Sequence, residues 1–330
     1  MGGDHAPEST VAGALAAADH GFEIVLVGDE GIIAEQIADA RVGGLPPTCT
    51  IRHATEIVEM EDSPGAVLRR KRDSSLRVAF ELVSRGQADA VVTMGNSGAA
   101  LAAGMFVAGR LPGVLRPAIT AVVPSQAAPV VVLDVGANVD CKPEYLVQFA
   151  LMGRALAQVG LRRENPSIAL LANGTEDEKG TELTRAAALL LAAVPDLDFR
   201  GLAEPADVFR GDLDVIVTDG FTGNVFLKTA EATSNQMVTL VREAAQSGWL
   251  AKAGGLLLRP ALRGTLSRLD AAEVGGALLL GINAIAVIGH GGADARAVGN
   301  ALRTAARLSS DGLLDGVAAA LASGGESAAG

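Results

Sequence analysis

Aromatic residues are scarce in this chain of 330 residues, where they make up 3% of the sequence and include a single Trp and a single Tyr. Single-stranded nucleic acids are commonly bound on aromatic side chains that stack with the bases, so the composition argues against such a platform. The net charge of -11 argues the same way, because contacts with a phosphate backbone need a basic face. We therefore expect no nucleic-acid partner.

Cysteine is equally scarce, and long apolar runs are missing. Cys49 and Cys141 provide neither a disulfide framework nor the spacing of a metal site, and we expect no metal ion and no cofactor. No apolar stretch reaches the roughly 18 residues that span a bilayer. The first residues, from Met1 to His5, lack the basic and apolar regions of a signal peptide. These features predict a globular protein of the cytoplasm.

The apolar content is high, at 49% hydrophobic residues, and it is divided into short runs separated by polar loops. Runs such as Val130–Leu133 are apolar throughout, which is typical of strands covered by helices on both faces. We predict strands at 23–28, 50–53, 88–93, 118–123, 129–135, 167–172, 213–218 and 284–288, and helices at 7–20, 74–85, 97–108, 144–159, 181–193, 223–247 and 296–308.

This alternation predicts an α/β fold with a doubly wound, mostly parallel sheet in a three-layer α/β/α arrangement. We expect one catalytic domain over residues 1–323, followed by a disordered tail over residues 324–330.

Polar, glycine-rich loops follow most of the predicted strands, where open α/β sheets bind their ligands. We expect these loops to meet at one edge of the sheet. The loop from Gly95 to Gly98 leads into a helix and predicts a phosphate site, because backbone N–H groups at a helix N-terminus attract anions. The alternative is a plain turn in which Ser97 caps the helix.

Several polar side chains in these loops are candidates for catalysis. Asn138 can donate to a developing oxyanion, or it forms an Asx-turn. Lys179 follows an acidic run in a chain that has few lysines, and it is either a phosphate ligand or a solvated surface residue. His290 is either a catalytic acid or base, a role for which histidine is well suited, or a structural residue. Cys141 has no histidine near it in the sequence, which disfavours covalent catalysis.

Apolar and basic residues are mixed over residues 248–270 of this acidic chain. Gly254, Gly255 and Pro260 predict that this segment is a bent helical hairpin. One interpretation is contact with an anionic membrane surface, and the alternative is an interface between two copies of the chain. The residues that we expect to contact the membrane are Trp249, Leu256 and Leu257.

Together these loops resemble those of the phosphate acyltransferases, the PlsX family of bacterial phospholipid synthesis, which convert acyl-[acyl-carrier-protein] and inorganic phosphate to acyl phosphate. The resemblance extends from the first residue to about residue 303. The matching stretches are Met1-Gly2-Gly3-Asp4-His5-Ala6-Pro7, Arg70-Lys71-Arg72-Asp73-Ser74-Ser75, Met94-Gly95-Asn96-Ser97-Gly98-Ala99, Asp134-Val135-Gly136-Ala137-Asn138, Asn173-Gly174-Thr175-Glu176-Asp177-Glu178-Lys179-Gly180 and Thr218-Asp219-Gly220-Phe221-Thr222-Gly223-Asn224.

The resemblance implies a fold like that of isocitrate and isopropylmalate dehydrogenases, a homodimer, and reversible association with the inner face of the cell membrane. It also implies acyl carrier protein and inorganic phosphate as substrates, and a membrane-bound glycerol-3-phosphate acyltransferase as functional partner. The family has a further strand ahead of Met1 that this sequence does not contain. A catalytically impaired, membrane-associated scaffold is therefore one alternative function. Others are a phosphotransacetylase-like enzyme acting on acyl-CoA and an NAD-dependent decarboxylating dehydrogenase.

We infer the following site residues from these loops. The candidates for catalysis are Lys179, Asn138, Asn224, His290 and Asp219. The candidates for binding phosphate or substrate are Gly3, Asp4, His5, Gly95, Asn96, Ser97, Gly98, Gly136, Asn173 and Gly174. The densest basic run supplies the candidates for docking the acidic carrier protein, which are Arg70, Lys71 and Arg72.

Overall fold

A large mixed sheet and a small parallel sheet form the centre of the molecule, in a computed structural model that describes residues 1–267 and 275–325. The strands of this part of the chain are β1 (Ile24–Gly28), β2 (Cys49–His53), β3 (Ala90–Thr93), β4 (Ala118–Val123), β5 (Val130–Leu133), β6 (Ile168–Leu171), β7 (Phe199–Ala203), β8 (Val215–Val217), β9 (Ala277–Leu280) and β10 (Ile285–Ile288).

Helices connect most of these strands and cover both faces of the large sheet. They are α1 (Glu8–Ala18), α2 (Glu30–Ala40), α3 (Ala66–Arg69), α4 (Ser75–Ser84), α5 (Ser97–Ala103), α6 (Pro143–Leu161), α7 (Glu182–Ala192), α8 (Pro205–Arg210), α9 (Gly220–Gln246), α10 (Trp249–Ser267), α11 (Ala295–Ser310) and α12 (Leu313–Gly325). A π-helical turn, Gly104–Ala108, extends α5.

The predicted three-layer α/β/α fold is confirmed. The central strands are buried on both faces, and every residue of Val130–Leu133 is inaccessible to solvent. One apolar cluster joins the sheet to α6, α11 and α12, and a second joins its other face to α4, α5 and α8. The large sheet thus lies between two helical layers.

The strand directions correct one prediction from the sequence. The order in the large sheet is β3-β10-β9-β4-β5-β8-β6-β7. The pairs β10–β9, β9–β4 and β4–β5 are antiparallel, whereas β3–β10 and the run β5–β8–β6–β7 are parallel. Because these three neighbouring pairs are antiparallel, β5, β6 and β8 run antiparallel to β3 and β10. The prediction that all polar loops share one edge is therefore wrong, and the loops form two groups at opposite edges.

A helical hairpin is present, but its shape differs from the predicted one. Helices α9 and α10 form the two arms, and α10 is continuous through Gly254, Gly255 and Pro260, so the predicted bend is wrong. A Cβ atom on Gly255 would lie 3.0 Å from Cβ of Ala245, so this glycine permits close packing of the two helices. Residues 268–270 of the predicted hairpin lie outside the described residues.

The hairpin exposes apolar side chains along its length. Leu257 is 83% exposed and Trp249 is 78% exposed. In the described part of the chain, no helix is long and apolar enough to cross a membrane. The tail predicted from residue 324 overlaps the end of α12, and its residues 326–330 lie outside the described part.

Candidate functional site

The carboxylate of Asp134 organises the loop that follows β5. Asp134 is fully buried, and one of its oxygens accepts the N–H groups of Ile119, Gly136 and Ala137 at 3.0–3.1 Å. The other oxygen accepts the N–H and the Nδ2 of Asn138, at 2.7 and 2.9 Å. Burial nevertheless raises the pKa of Asp134 above its ordinary value. These five hydrogen bonds fix the loop after β5 in one shape.

Asn138 has its side-chain donors engaged within the protein. Its Nδ2 donates to the backbone carbonyl of Pro117 at 2.7 Å as well as to Asp134. Both amide hydrogens are therefore engaged, and in this arrangement Asn138 positions the loop and is not free to donate to an oxyanion. Nearby, burial raises the pKa of the Cys141 thiol to about 11, so this thiol is protonated at neutral pH.

The loop that follows β8 packs on the same frame. The N–H of Gly220 donates to the carbonyl of Asn138 at 2.7 Å. The carboxylate of Asp219 caps α9 by accepting the N–H and the hydroxyl of Thr222, at 2.9 and 2.7 Å. The side chain of Asn224 lies against Gly136, where an added Cβ would be 3.7 Å from the amide of Asn224. Asn224 thus lies above the loop that Asp134 holds.

The loop that follows β6 carries the predicted cation. Asn173 Oδ1 accepts the N–H of Gly180 at 2.9 Å and closes the loop. The stem of Lys179 and the carboxylate of Glu176 both lie over Gly174, where a Cβ would approach within 2.7 and 2.8 Å of them. Lys179 is exposed. Because β5, β8 and β6 are neighbours in the sheet, these three loops occupy one edge.

The loop that follows β3 lies at the opposite edge, and there Asn96 is a structural residue. Its Oδ1 accepts the N–H of Ala99 and caps α5, so the cap is Asn96 and not Ser97. Its Nδ2 donates to the carbonyls of Glu59, Met60 and Asp62 at 2.8–3.2 Å. Asn96 therefore ties the loop between β2 and α3 to the start of α5.

The first residues of the chain join the same edge. The N–H of Asp4 donates to the carbonyl of Gly291 at 2.9 Å, and Gly3 packs against the backbone of Met94. His290 is exposed, and its Nδ1 accepts the N–H of Gly292 at 3.1 Å. The predicted binding residues Gly3, Asp4, His5, Gly95, Asn96, Ser97 and Gly98 are thus brought together with His290. They lie apart from the edge that carries Asn138, Lys179 and Asn224.

The basic run also divides into different roles. The Nζ of Lys71 donates to the carbonyl of Ile57 and pairs with Asp62, which lowers the pKa of Asp62. Arg70 and Arg72 are exposed and retain the charge that docking of an acidic protein needs. Lys71 instead holds the loop before α3.

Asp134 is the important residue that the sequence did not assign. The only available signal was an aspartate directly after a strand with no polar residue. Its donors lie at position 119 and over positions 136–138, and the approach of β4 that supplies Ile119 is not visible in the sequence.

Among the residues described by the structure, no three His, Cys, Asp or Glu side chains are grouped to hold a metal ion.

Comparison with known proteins decides the family. The profile of the family described as "Fatty acid synthesis protein" matches residues 1–315. A phosphate acyltransferase of Anaeromyxobacter sp. (strain Fw109-5) is 49% identical, over 98% of this chain and 89% of the relative. That of Myxococcus xanthus is 47% identical, over 95% and 89%. The chain belongs to the phosphate acyltransferase family. It is thus a member of a family of acyltransferases.

Solved structures of other proteins share the fold of this phosphate acyltransferase family member. A phosphotransacetylase from Streptococcus pyogenes has a TM-score of 0.61 at 16% identity, with 92% of this chain and 91% of that chain covered. A 4-hydroxythreonine-4-phosphate dehydrogenase from Klebsiella pneumoniae has a TM-score of 0.53 at 16% identity, over 92% and 95%. At these identities the likeness concerns the fold, which acyl-transfer and dehydrogenase proteins share.

Proposed function

We propose that this chain transfers the acyl group of acyl-[acyl-carrier-protein] to inorganic phosphate, which yields acyl phosphate and the free carrier thiol. A phosphate oxygen forms a bond to the thioester carbon, the carbonyl oxygen becomes an oxyanion, and the carbon–sulfur bond then breaks. The departing thiolate takes up a proton. The names of the relatives support phosphate as acceptor, and the family description supports an acyl donor from fatty acid synthesis.

Direct attack by phosphate agrees with the state of the cysteine at the site. A cysteine nucleophile reacts as the thiolate, and the pKa of about 11 leaves very little of Cys141 in that form at pH 7. Phosphate is itself an anionic nucleophile, and the protein then has to bind it, orient the thioester and stabilise the oxyanion.

The observation that carries the proposal is the pair Lys179 and Asn224 on adjacent loops. Lys179 supplies the positive charge that phosphate or the oxyanion needs, and Asn224 supplies an amide donor above the frame of Asp134. We assign Lys179 to phosphate and Asn224 to the oxyanion. Asn138 and Asp219 position the loops after β5 and β8 through their hydrogen bonds to Asp134 and Thr222. A fixed donor near a developing oxyanion lowers the barrier by a few kcal/mol, at about 3–4 in known cases.

Partners follow from the exposed surfaces. We propose that Arg70 and Arg72 dock the acidic carrier protein, and that the chain acts as a homodimer at the inner face of the membrane. The exposed leucines of α10 support contact with anionic lipid. Acyl phosphate is reactive, and release beside a membrane-bound glycerol-3-phosphate acyltransferase would shorten its path to that acceptor enzyme.

The test is turnover of purified chain with acyl-[acyl-carrier-protein] in the presence and absence of phosphate, with acyl phosphate trapped by hydroxylamine. We expect loss of the thioester that depends on phosphate and is matched by trapped product. Faster turnover with acyl-CoA than with the carrier-bound substrate would instead support the phosphotransacetylase-like alternative. Absence of turnover with both donors, in folded protein, would favour the impaired scaffold.

A further inference from the structure

The large sheet carries a cavity on one face, between two of the helices that cover it. Helix α11 packs on β3 and β10, and helix α6 packs on β5 and β8. Strands β9 and β4 lie between these two pairs of strands. Over β9 and β4 the helices leave a cavity of about 510 Å³. Its size lies within the range of about 300–1,000 Å³ that is usual for small-molecule sites.

The floor and the walls of this cavity are apolar. Val122, Leu278 and Val287 come from three neighbouring strands and form the floor. Leu156 of α6 and Leu308 of α11 form the walls. An apolar chain placed between them would leave water and gain free energy in proportion to the area that it buries.

The polar groups in the interior of the cavity are already engaged. The hydroxyl of Thr120 donates to the carbonyl of Leu278 at 3.0 Å, and the hydroxyl of Ser125 donates to the carbonyl of Ala128. These groups form their hydrogen bonds within the protein. The part of a ligand that lies over the sheet is therefore expected to be apolar.

One positive charge lies at the rim of the cavity. Arg307, in the last turn of α11, is exposed and lines the cavity. Its Nη1 donates to the carbonyl of Gly160 in the last turn of α6 at 2.9 Å, so the guanidinium lies between the two helices. None of the described lining residues is acidic, although the chain has 38 Asp and Glu residues against 27 Lys and Arg residues.

The charge at the rim selects the class of ligand. A guanidinium pairs well with a carboxylate, because its donors match the two carboxylate oxygens. Arg307 is the only basic residue among the described lining residues. A second negative charge would therefore lack a partner in the cavity, and such a charge is costly to remove from water. An apolar interior with one cation at the rim fits a monoanion that carries an apolar chain.

We propose that this cavity binds a fatty acid, with its chain over β9 and β4 and its carboxylate on Arg307. The cavity lies at the carboxyl ends of β4 and β10, at the edge of the sheet opposite to Lys179 and Asn224. Hydrolysis of an acyl phosphate gives a carboxylate of this class, so the proposed activity supplies a ligand. Binding in this cavity does not require that activity.

The test is calorimetric titration of the full chain with laurate, below the critical micelle concentration of laurate. We expect saturable binding of one laurate per chain. Arg307→Gln should weaken this binding at least ten-fold, and Arg307→Lys should restore part of it. Arg303→Gln is the matched control, because Arg303 lies one turn earlier on α11, does not line the cavity and gives the same change in charge. It should bind laurate as the parent does.

A neutral probe separates binding of the carboxylate from a structural role of Arg307. Dodecanol has the same chain as laurate without the charge, and we expect it to bind the parent at least ten-fold more weakly. Arg307→Gln should leave the affinity for dodecanol unchanged. Equal weakening of laurate and dodecanol in Arg307→Gln would mean that Arg307 only maintains the shape of the cavity, and it would overturn the proposal.

Two further variants locate the bound chain. Val122→Phe places a ring over the floor of the cavity and should abolish binding of laurate, whereas Leu256→Glu with Leu257→Glu on the exposed hairpin should leave it unchanged. Loss of binding in the hairpin variant would place the fatty acid on α10 and overturn the proposal. Equal affinities of Arg307→Gln and Arg303→Gln would also overturn it, and this comparison decides alone if Val122→Phe does not fold. Absent or unsaturable binding to the parent would overturn it as well.

Discussion

The backbone N–H of Gly220 donates to the backbone carbonyl of Asn138 at 2.7 Å, so the first residue of α9 is bonded to the loop after β5. There is no room for a side chain at this contact. A Cβ on Gly220 would lie 2.6 Å from the carbonyl oxygen of Asn138 and 2.8 Å from a carboxylate oxygen of Asp134. Two loops that come from neighbouring strands thus form one unit beneath Asn224.

Gly220→Ala should therefore separate the two loops. The clash is with backbone and with a buried carboxylate, neither of which can rotate away, and we expect a loss of about 1–3 kcal/mol in the free energy of unfolding. Turnover should fall as well, because Asn224 moves with α9. Gly254→Ala is the matched control, since no atom lies within 4 Å of an added Cβ there. Chemical denaturation of both variants gives the comparison, and equal stability would contradict the role of the contact.

Asp134→Asn tests the frame through stability. The substitution replaces one carboxylate oxygen by an NH2 group. In either orientation of the amide, this NH2 group faces N–H donors that in the parent donate to an oxygen of Asp134. We expect a loss of about 1–3 kcal/mol, the cost of an unsatisfied buried donor. A variant as stable as the parent at pH 7 would remove Asp134 from its organising role.

The difference in free energy of unfolding between the parent and Asp134→Asn should also depend on pH, with a sign set by the raised pKa of Asp134. Burial raises the pKa of Asp134 in the folded chain above its unfolded value of about 3.9. Between these two pKa values the folded state binds more protons than the unfolded state, so its free energy of unfolding falls as the pH rises. The stability of the parent minus that of Asp134→Asn should therefore decrease upward from about pH 4 and then level off. Denaturation at a series of pH values measures it, and an increase over that range would contradict the raised pKa.

The strands were predictable where they are buried on both faces. Val130–Leu133 has no polar residue, and a run of four mostly β-branched residues is typical of a strand and too short for a helix. Strand β7 was missed because Arg200 and Gly201 interrupt its apolar pattern, and β9 was missed because Ala277 and three leucines also suit a helix.

Which loops share an edge of the sheet could not be predicted, because no local sequence pattern gives the direction of a strand. The reversal at β9 and β4 is set by pairing between residues far apart in the chain, such as Ala118 with Leu280. It separates Asn96 from Lys179, which the loop motifs alone place together. Asn96 has the residue type and the loop position expected of a ligand-binding residue. Only the three carbonyls that accept hydrogen bonds from its Nδ2 identify it as structural.

Lys179→Ala should lower turnover about 100-fold or more, the scale of a lost electrostatic stabiliser. Lys179→Arg should restore only part of it, because the planar guanidinium presents its donors in another geometry. Lys252→Ala, on the distant helix α10, is the control and should keep full turnover with a soluble substrate. Steady-state rates at saturating and limiting phosphate measure the effect. Full activity of Lys179→Ala would make Lys179 a solvated surface residue.

Reversing the charge of Arg70 and Arg72 to Glu should raise KM for the acyl carrier substrate and weaken its dependence on salt. Exposed charges act mainly on association with an acidic partner, and salt screens them. Arg162 and Arg200, reversed together, give the same change in net charge elsewhere on the surface, where they pair with Asp311 and Asp198. If both double variants change KM equally, net charge and not a docking site is responsible.

We expect the exposed leucines of the hairpin to contact the membrane surface. Leu256 and Leu257 are 67% and 83% exposed on α10, and Lys252 precedes Leu256 by four residues in the same helix. Apolar side chains that rest in the headgroup region gain free energy by leaving water, and each nearby cation adds about 1 kcal/mol at an anionic surface. The hairpin contacts would add up if two copies bind together.

Leu256→Glu with Leu257→Glu should therefore reduce binding to anionic vesicles at least ten-fold, and binding of the parent should weaken with salt. Leu189→Glu with Leu190→Glu is the matched control, because these adjacent leucines are 78% and 42% exposed on α7, away from the hairpin. Vesicle sedimentation and size-exclusion chromatography are run on all three proteins. Loss of vesicle binding in the hairpin variant alone, with its oligomeric state unchanged, is the expected result. If that variant instead changes its oligomeric state and still binds vesicles, α10 is an interface between copies of the chain and the membrane contact lies elsewhere.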